Sequence, residues 1–215
     1  MDFMHFLIDF ILHVDAHLAE FVTAYGMWVY GLLFLIVFAE TGFVVTPFLP
    51  GDSLLFVAGA LAAVGLLKIE WLVPLLIVAA ILGDTVNYWM GKWIGERAFK
   101  GTIPFLKKQH LDHTQKYFEK YGAKTIIIAR FVPLVRTFAP FVAGIGSMKY
   151  TKFIAYNIIG GIVWVSVFLL IGYAVGNIPV IKNNFKIITV VIILVSVLPI
   201  LFEWMSHRAR NKKPA

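Results

Sequence analysis

Residues 153–175 read FIAYNIIGGIVWVSVFLLIGYAV and contain no charged side chain. A helix needs about 20 predominantly apolar residues to cross the hydrocarbon core of a bilayer, so this run predicts a transmembrane helix. Further apolar runs cover residues 28–39, 71–82 and 187–202. Because 60% of the chain is hydrophobic and only 14% is charged, the composition indicates a lipid solvent. The predicted fold class is an all-α integral membrane protein.

The order of apolar, polar and proline-containing segments predicts one membrane domain over residues 1–215. Prolines remove backbone donors and interrupt helices, so Pro47 and Pro50 in one apolar segment, and Pro133 in another, predict two broken re-entrant hairpins. The predicted segments are an amphipathic N-terminal helix (1–25), re-entrant hairpin 1 (28–67), a transmembrane helix (71–95), a cytoplasmic amphipathic helix capped by Thr102 (102–121), re-entrant hairpin 2 (124–148), transmembrane helices at 153–176 and 185–204, and a basic cytoplasmic tail (205–215).

The two hairpins share features that indicate an internal duplication. Val57-Ala58-Gly59 ends the first and Val142-Ala143-Gly144 ends the second, and each following span closes with Gly-x-x-x-Gly, at Gly91 and Gly172. If each unit is a hairpin plus one crossing, the second unit is inverted relative to the first, as in many transporters. Non-helical backbone at membrane depth must be buried in protein or line a wet cavity. We therefore expect the broken hairpins to face each other around a site.

The charge distribution predicts an orientation in the membrane. Residues 1–67 hold six carboxylates and neither Lys nor Arg, whereas basic residues crowd residues 92–124 and the tail. Cytoplasmic loops carry the excess of Lys and Arg, so both basic segments are predicted to be cytoplasmic, with hairpin 1 opening outside and hairpin 2 inside. The N-terminus also lacks the basic region of a cleavable signal peptide. The net charge of +7 is thus an orientation signal, and no nucleic-acid partner is expected.

Charged residues inside the apolar segments are the candidate functional residues. Glu40, Asp52, Asp84, Arg130 and Arg136 all lie within or beside such segments, where a charge costs about 3 kcal/mol or more. On an unbroken helix the two arginines would point about 240° apart, but a break at Pro133 lets both guanidinium groups converge. Paired arginines favour phosphate, which their planar donors bind in a bidentate manner.

Two interpretations of these charges stay open at this stage. The arginines either form structural ion pairs with Glu40 and Asp52, or bind substrate while those carboxylates exchange protons, and both can hold in different states. Asp84 has a local alternative, because it can hydrogen-bond Asn87 or Tyr88 on its own helix.

Other function classes are less well supported by the residues. The chain has no cysteine, and its six histidines lack zinc-ligand spacing, so neither a metal nor another cofactor is predicted. A lipid phosphatase would need the residue combination of a phosphohistidine mechanism. The chain lacks that combination, so it is not expected to be an enzyme. A proton-coupled ion antiporter, which also uses buried carboxylates, remains an alternative.

Four motifs occur together in this chain: Glu40-Thr41-Gly42; Pro47-Phe48-Leu49-Pro50-Gly51-Asp52-Ser53-Leu54-Leu55; Gly83-Asp84-x-x-x-Tyr88-x-x-Gly91-x-x-x-Gly95; and Arg130-Phe131-Val132-Pro133-Leu134-Val135-Arg136. In this combination they resemble the DedA family, whose domain is also called VTT or SNARE-associated, and the resemblance covers most of the chain. It implies a bacterial inner-membrane protein with two opposed re-entrant hairpins that returns undecaprenyl phosphate across the membrane, dependent on the proton motive force. The family is also related to lipid scramblase domains, so general phospholipid scrambling is a further alternative.

The resemblance also implies roles for individual residues. The family's arginine pair corresponds to Arg130 and Arg136, here expected to bind the substrate phosphate, and its acidic pair corresponds to Glu40 and Asp52, expected to couple movement to protons. Asp84, Tyr88 and Pro133 are expected to support the site. The expected partners are a phosphorylated lipid, protons and membrane lipids, with a homo-oligomer left open.

Overall fold

A computed structural model of the chain describes residues 26–43, 51–95, 108–146 and 148–179. Within these ranges the secondary structure is helical and contains no strand. The helices are α1 (Met27–Gly42), α2 (Gly51–Ala63), α3 (Ile69–Ile94), α4 (Lys108–Tyr121), α5 (Thr125–Ala129), α6 (Pro133–Ile145) and α7 (Tyr150–Gly176), with a 3-10 turn at Gly122–Lys124.

Several predicted segments lie outside the described residues. They are the N-terminal amphipathic helix at 1–25, the chain break at Pro47 and Pro50, the helix start at Thr102, the transmembrane helix at 185–204 and the basic tail at 205–215.

Among the described residues, α3 and α7 are long and apolar enough to cross a membrane. Their faces are arranged as a lipid solvent requires, with polar groups inside and apolar side chains outside. In α3 the buried residues recur every three or four positions and include Asp84 and Asn87, whereas Trp71 and Trp93 are exposed. In α7 the buried face includes Asn157. These observations confirm the all-α class.

Helix ends follow from local backbone chemistry. Gly65, just beyond α2, adopts φ +83°, and its N–H and that of Leu66 donate to the carbonyl oxygens of Ala62 and Leu61, 3.1 Å away in each case. This is the glycine-terminated motif that satisfies the last carbonyls of a helix. Gly122, at φ +57°, follows α4 directly and begins the 3-10 turn.

The described residues group into two compact units. One contains residues 52–69 and 168–179, in which α2 packs on the end of α7. A side chain at Gly59 would overlap the carbonyl oxygen of Leu169, and one at Gly172 would overlap that of Phe56. The glycines therefore allow two helix backbones to touch, as small residues do between membrane helices.

The second unit contains residues 28–43, 51 and 70–167. Here α6 packs on α3 through a matching pair of glycines, because a side chain at Gly144 would overlap the carbonyl oxygen of Tyr88, and one at Gly91 would overlap that of Phe141. Phe153 and Tyr88 stack with ring centroids 4.5 Å apart in a core shared with α5 and α6. This unit holds most of the charged residues singled out from the sequence.

Candidate functional site

The break between α5 and α6 positions both arginines. Arg130 directly follows α5, the Val132 N–H donates to the Ala129 carbonyl oxygen at 2.8 Å, and Val132 is extended (φ −118°, ψ 103°) before Pro133. A residue preceding proline is disfavoured in the helical region, and proline is suited to the first position of a helix. The chain therefore turns here and restarts as α6, with Arg136 in its first turn.

Both guanidinium groups line one pocket. Its walls are contributed by α1, α3, α6, α7 and the α5–α6 break, and consist of Glu40, Thr41, Asp84, Arg130, Arg136, Thr137 and Trp164. With both carboxylates in place, the cavity between these side chains measures about 10 Å³. A water molecule needs about 10–15 Å³, so the paired side chains nearly fill the pocket.

Each arginine is paired with a carboxylate inside the pocket. Arg136 Nη2 donates to Glu40 Oε1, and Arg130 Nη2 donates to Asp84 Oδ2. The Arg130 and Asp84 side chains are 5% and 6% exposed, and Glu40 only 1%, whereas Arg136 is 12% exposed. Arg136 is therefore the more accessible cation.

The pairing with Asp84 corrects two sequence-based interpretations. One open interpretation paired the arginines with Glu40 and Asp52, but the described ion pair of Arg130 is with Asp84. The local alternative for Asp84 was a hydrogen bond to Asn87 or Tyr88. Instead, Asn87 Nδ2 donates to the carbonyl oxygens of Thr41 and Thr137, and the Tyr88 hydroxyl donates to that of Met148. Sequence spacing did not indicate a carboxylate 46 positions away in the chain.

Glu40 is fixed by the start of α2 as well as by Arg136. The Gly51 N–H donates to Glu40 Oε1 at 3.2 Å, and a side chain at position 51 would overlap the Glu40 carboxylate. A larger residue at position 51 would therefore displace the Glu40 carboxylate from its present position.

The remaining residues predicted for the site occupy different positions. Asp52, the second residue of α2, is half-buried and is not among the residues that line the pocket. Tyr88 is fully buried in the aromatic core next to Tyr150 and Phe153. The Pro133 backbone begins α6 and so sets the break between the two arginines.

Sequence reasoning missed Asn157 and Trp164, and it considered Asn87 only as a hydrogen-bond partner of Asp84. Asn157 Oδ1 accepts a hydrogen bond from Arg130 Nη2 at 2.6 Å, and Asn157 Nδ2 donates to the Ile81 carbonyl oxygen at 3.0 Å. The Trp164 ring lies beneath both cations, 5.7 Å from Arg130 Cζ and 5.6 Å from Arg136 Cζ. Asn87 links α1 to α6 beside the pocket. Lone asparagines within apolar spans were the available signal, because a polar group in lipid needs a partner.

The pocket chemistry favours binding of an anion. Two guanidinium groups offer planar sets of donors, and the aromatic floor and buried walls limit competition from water. Among the described residues, no group of three His, Asp or Glu side chains is placed to hold a metal.

Comparisons with known proteins agree with the sequence motifs. The family model of the VTT domain matches residues 49–174, more than half of the chain. The chain is 55% identical to Protein DedA of Escherichia coli K12 over the whole length of both. It is 41% identical to an uncharacterized membrane protein of Mycobacterium tuberculosis H37Rv, over 85% of this chain and 82% of that one. It is 34% identical to the inner membrane protein YghB of E. coli K12, over 82% and 78% respectively. No solved structure matches the chain significantly.

The chain therefore belongs to the VTT-domain family, that is, the DedA family. This confirms the resemblance identified from the Pro-Gly-Asp and Arg-x-x-Pro-x-x-Arg motifs.

Proposed function

We propose that this protein carries a lipid with a phosphate headgroup across the bacterial inner membrane, with undecaprenyl phosphate as the lipid. One observation carries the proposal: two arginines from either side of a helix break line a single buried pocket. Arginine keeps its charge when buried, and its forked donors match phosphate oxygens. Two relatives that are named inner membrane proteins, YghB and YqjA of E. coli, support the location.

The pocket dimensions support headgroup binding rather than enclosure of a whole lipid. The cavity measures only about 10 Å³ while the carboxylates are paired with the arginines, so a phosphate fits only where a carboxylate leaves, and a polyprenyl chain does not fit. Large apolar side chains are exposed along α7, among them Ile159, Leu170 and Ile171. In the proposed cycle the headgroup passes through the protein while the apolar chain stays in the lipid, so the protein shields only the charge.

The movement is proposed to be coupled to the proton motive force through Glu40 and Asp52. The Glu40 carboxylate is already paired with the Arg136 guanidinium, so an incoming phosphate must displace Glu40 to bind Arg136. Protonation removes the carboxylate charge and weakens its hold on the arginine, which gives the proton a means of opening the site. Asp52, near the start of α2, is the second proposed proton carrier.

We propose that the fold consists of two inverted repeats, each a re-entrant hairpin plus a crossing helix. The two pairs of glycine contacts support this arrangement. Gly59 and Phe56 of α2 meet Leu169 and Gly172 of α7, and Gly144 and Phe141 of α6 meet Tyr88 and Gly91 of α3 in the same spacing. In each case the second half of a hairpin packs on the span that follows the other hairpin. The lengths of α1, α2 and α6, at 16, 13 and 13 residues, are shorter than a full crossing requires.

Proteoliposomes with labelled undecaprenyl phosphate test the transport function. We expect the native protein to change the leaflet accessibility of the lipid in a pH-gradient-dependent manner, and Arg136→Ala to abolish that change. Arg136→Lys keeps the charge but loses the forked donor set, so it should lose most of the activity. Lys120→Ala, at an exposed position on α4, is the matched control and should retain it.

Other outcomes would replace the proposal. Unaltered transport by Arg136→Lys would contradict the headgroup role. Movement of cations but no lipid would favour the ion antiporter, and movement of all phospholipids regardless of headgroup would favour the scramblase. Release of inorganic phosphate from the lipid by the pure protein would favour a lipid phosphatase.

A further inference from the structure

The described residues that line the pocket have balanced formal charges. Arg130 and Arg136 contribute two positive charges, and Asp84 and Glu40 contribute two negative charges when ionised. An anionic headgroup that bound in addition to these groups would leave a buried excess of negative charge, which is strongly unfavourable. An anion can therefore enter only if a carboxylate leaves or is neutralised.

The two pairs differ in how the arginine is held when its carboxylate leaves. Arg130 Nη2 also donates to Asn157 Oδ1 at 2.6 Å, and Asn157 is itself anchored to the Ile81 carbonyl oxygen at 3.0 Å. The Trp164 ring lies 5.7 Å from Arg130 Cζ. A neutral amide and an aromatic face thus keep this guanidinium oriented without Asp84. Arg130 Nε, moreover, has no hydrogen-bond partner within the described part of the chain.

We propose that Asp84 is the resident anion of Arg130, which the phosphate of the substrate displaces, and that Asp84 takes up a proton in the exchange. This inference rests on the proposed phosphate-binding function and adds a third acidic residue to the transport cycle. It also distinguishes Asp84 from a structural partner. A structural partner strengthens the site, whereas a displaced anion competes with the substrate.

The proton balance of the exchange can be followed atom by atom. The bond from Arg130 Nη2 to Asp84 Oδ2 breaks, a proton from the aqueous side binds the Asp84 carboxylate, and a phosphate oxygen accepts the hydrogen bond from Nη2. A dianionic phosphate brings two negative charges, so the protonation of Glu40 proposed above accompanies that of Asp84 and keeps the pocket neutral. Release of the lipid reverses these steps and returns both protons. The charged or titratable groups around Asp84 in the pocket are Arg130 and Arg136 at the break and in α6, and Glu40 from α1, while α7 contributes the neutral Asn157 and Trp164.

Binding of geranylgeranyl phosphate to the purified full-length protein in detergent tests the proposal. At pH 8 the phosphate monoester is already dianionic, since its second pKa is about 6, so a change in its own charge does not obscure the result. We expect Asp84→Asn to bind this probe about tenfold more tightly than the native protein, the factor that corresponds to losing one charge-assisted competing hydrogen bond. Asp112→Asn, the same change at an exposed position on α4, should leave the affinity unaltered.

Calorimetry in buffers of different ionisation enthalpy gives a second measurement, the number of protons taken up on binding, which can be made on the native protein itself. The native protein should take up protons when it binds the probe at pH 8, and folded Asp84→Asn should take up fewer. Weaker or unchanged binding by a variant that remains monodisperse, or no proton uptake by the native protein, would overturn the role of Asp84. If the native protein does not bind the probe at all, the proposed phosphate-binding function itself fails.

Discussion

Trp164 lies where two buried cations of like charge come together. Its ring centroid is 5.7 Å from Arg130 Cζ and 5.6 Å from Arg136 Cζ, and the side chain is 1% exposed. An aromatic face attracts cations most strongly when water is excluded, at about 2 kcal/mol. The ring therefore offsets part of the repulsion between the arginines.

Trp164→Leu should weaken the binding of a polyprenyl phosphate about fivefold or more, because it removes the cation–π contact with both arginines. Trp164→Phe keeps an aromatic face, so its affinity should lie between that of Trp164→Leu and that of the native protein. Titration of detergent-solubilised protein with geranylgeranyl phosphate measures the affinities. Equal binding by the Leu and Phe variants would show that the ring only fills space.

At the scale of the helices, direct backbone contact decides which elements pack together. Gly144 of α6 and Gly91 of α3 lie where the two backbones meet, with no room for a side chain between them. The contact holds α6 against α3, and these helices carry Arg136 and Asp84 respectively. Small residues at this interface thus help to set the geometry of the pocket.

Gly144→Ala should lower the thermal unfolding temperature in detergent, since the new methyl group overlaps the Tyr88 carbonyl oxygen and overpacking costs about 1–3 kcal/mol. Gly31→Ala is the matched control. Gly31 lies in α1 with open space around it, so the change should be neutral or stabilising, as alanine favours helix. A Gly144→Ala protein as stable as Gly31→Ala would show that the helices separate without cost.

For the whole molecule, the distribution of basic residues defines an expected orientation. The first 67 residues lack Lys and Arg, and α3 leads from Ile69 to the basic segment that includes α4. The positive-inside rule predicts that this segment is cytoplasmic, and the C-terminus with it. The start of α3 is then expected on the outer side.

Single cysteines test this orientation, because the native chain contains none. A membrane-impermeant maleimide should label Lys68→Cys in intact cells after the outer membrane is permeabilised, and Lys116→Cys only in inverted vesicles. Both positions are exposed, so burial does not limit the reaction. Labelling of both from the same side would contradict a crossing by α3.

Local sequence was sufficient for the all-α class and for the family, and it singled out the two arginines that line the pocket. Uncharged runs such as residues 153–175 indicate a lipid solvent whatever they pack against, because helix length and hydropathy are local properties. The break before Pro133 is likewise predicted, since proline restricts the residue that precedes it.

Only the tertiary structure decided which charges are partners. Asp84 pairs with Arg130, and Asn157 and Trp164 complete the surroundings of that arginine, although these residues come from three separate parts of the chain. A buried cation must find some partner, but the choice depends on which helix faces meet. In this protein the glycine contacts between helices bring those faces together, and contacts between residues distant in sequence cannot be obtained from local spacing alone.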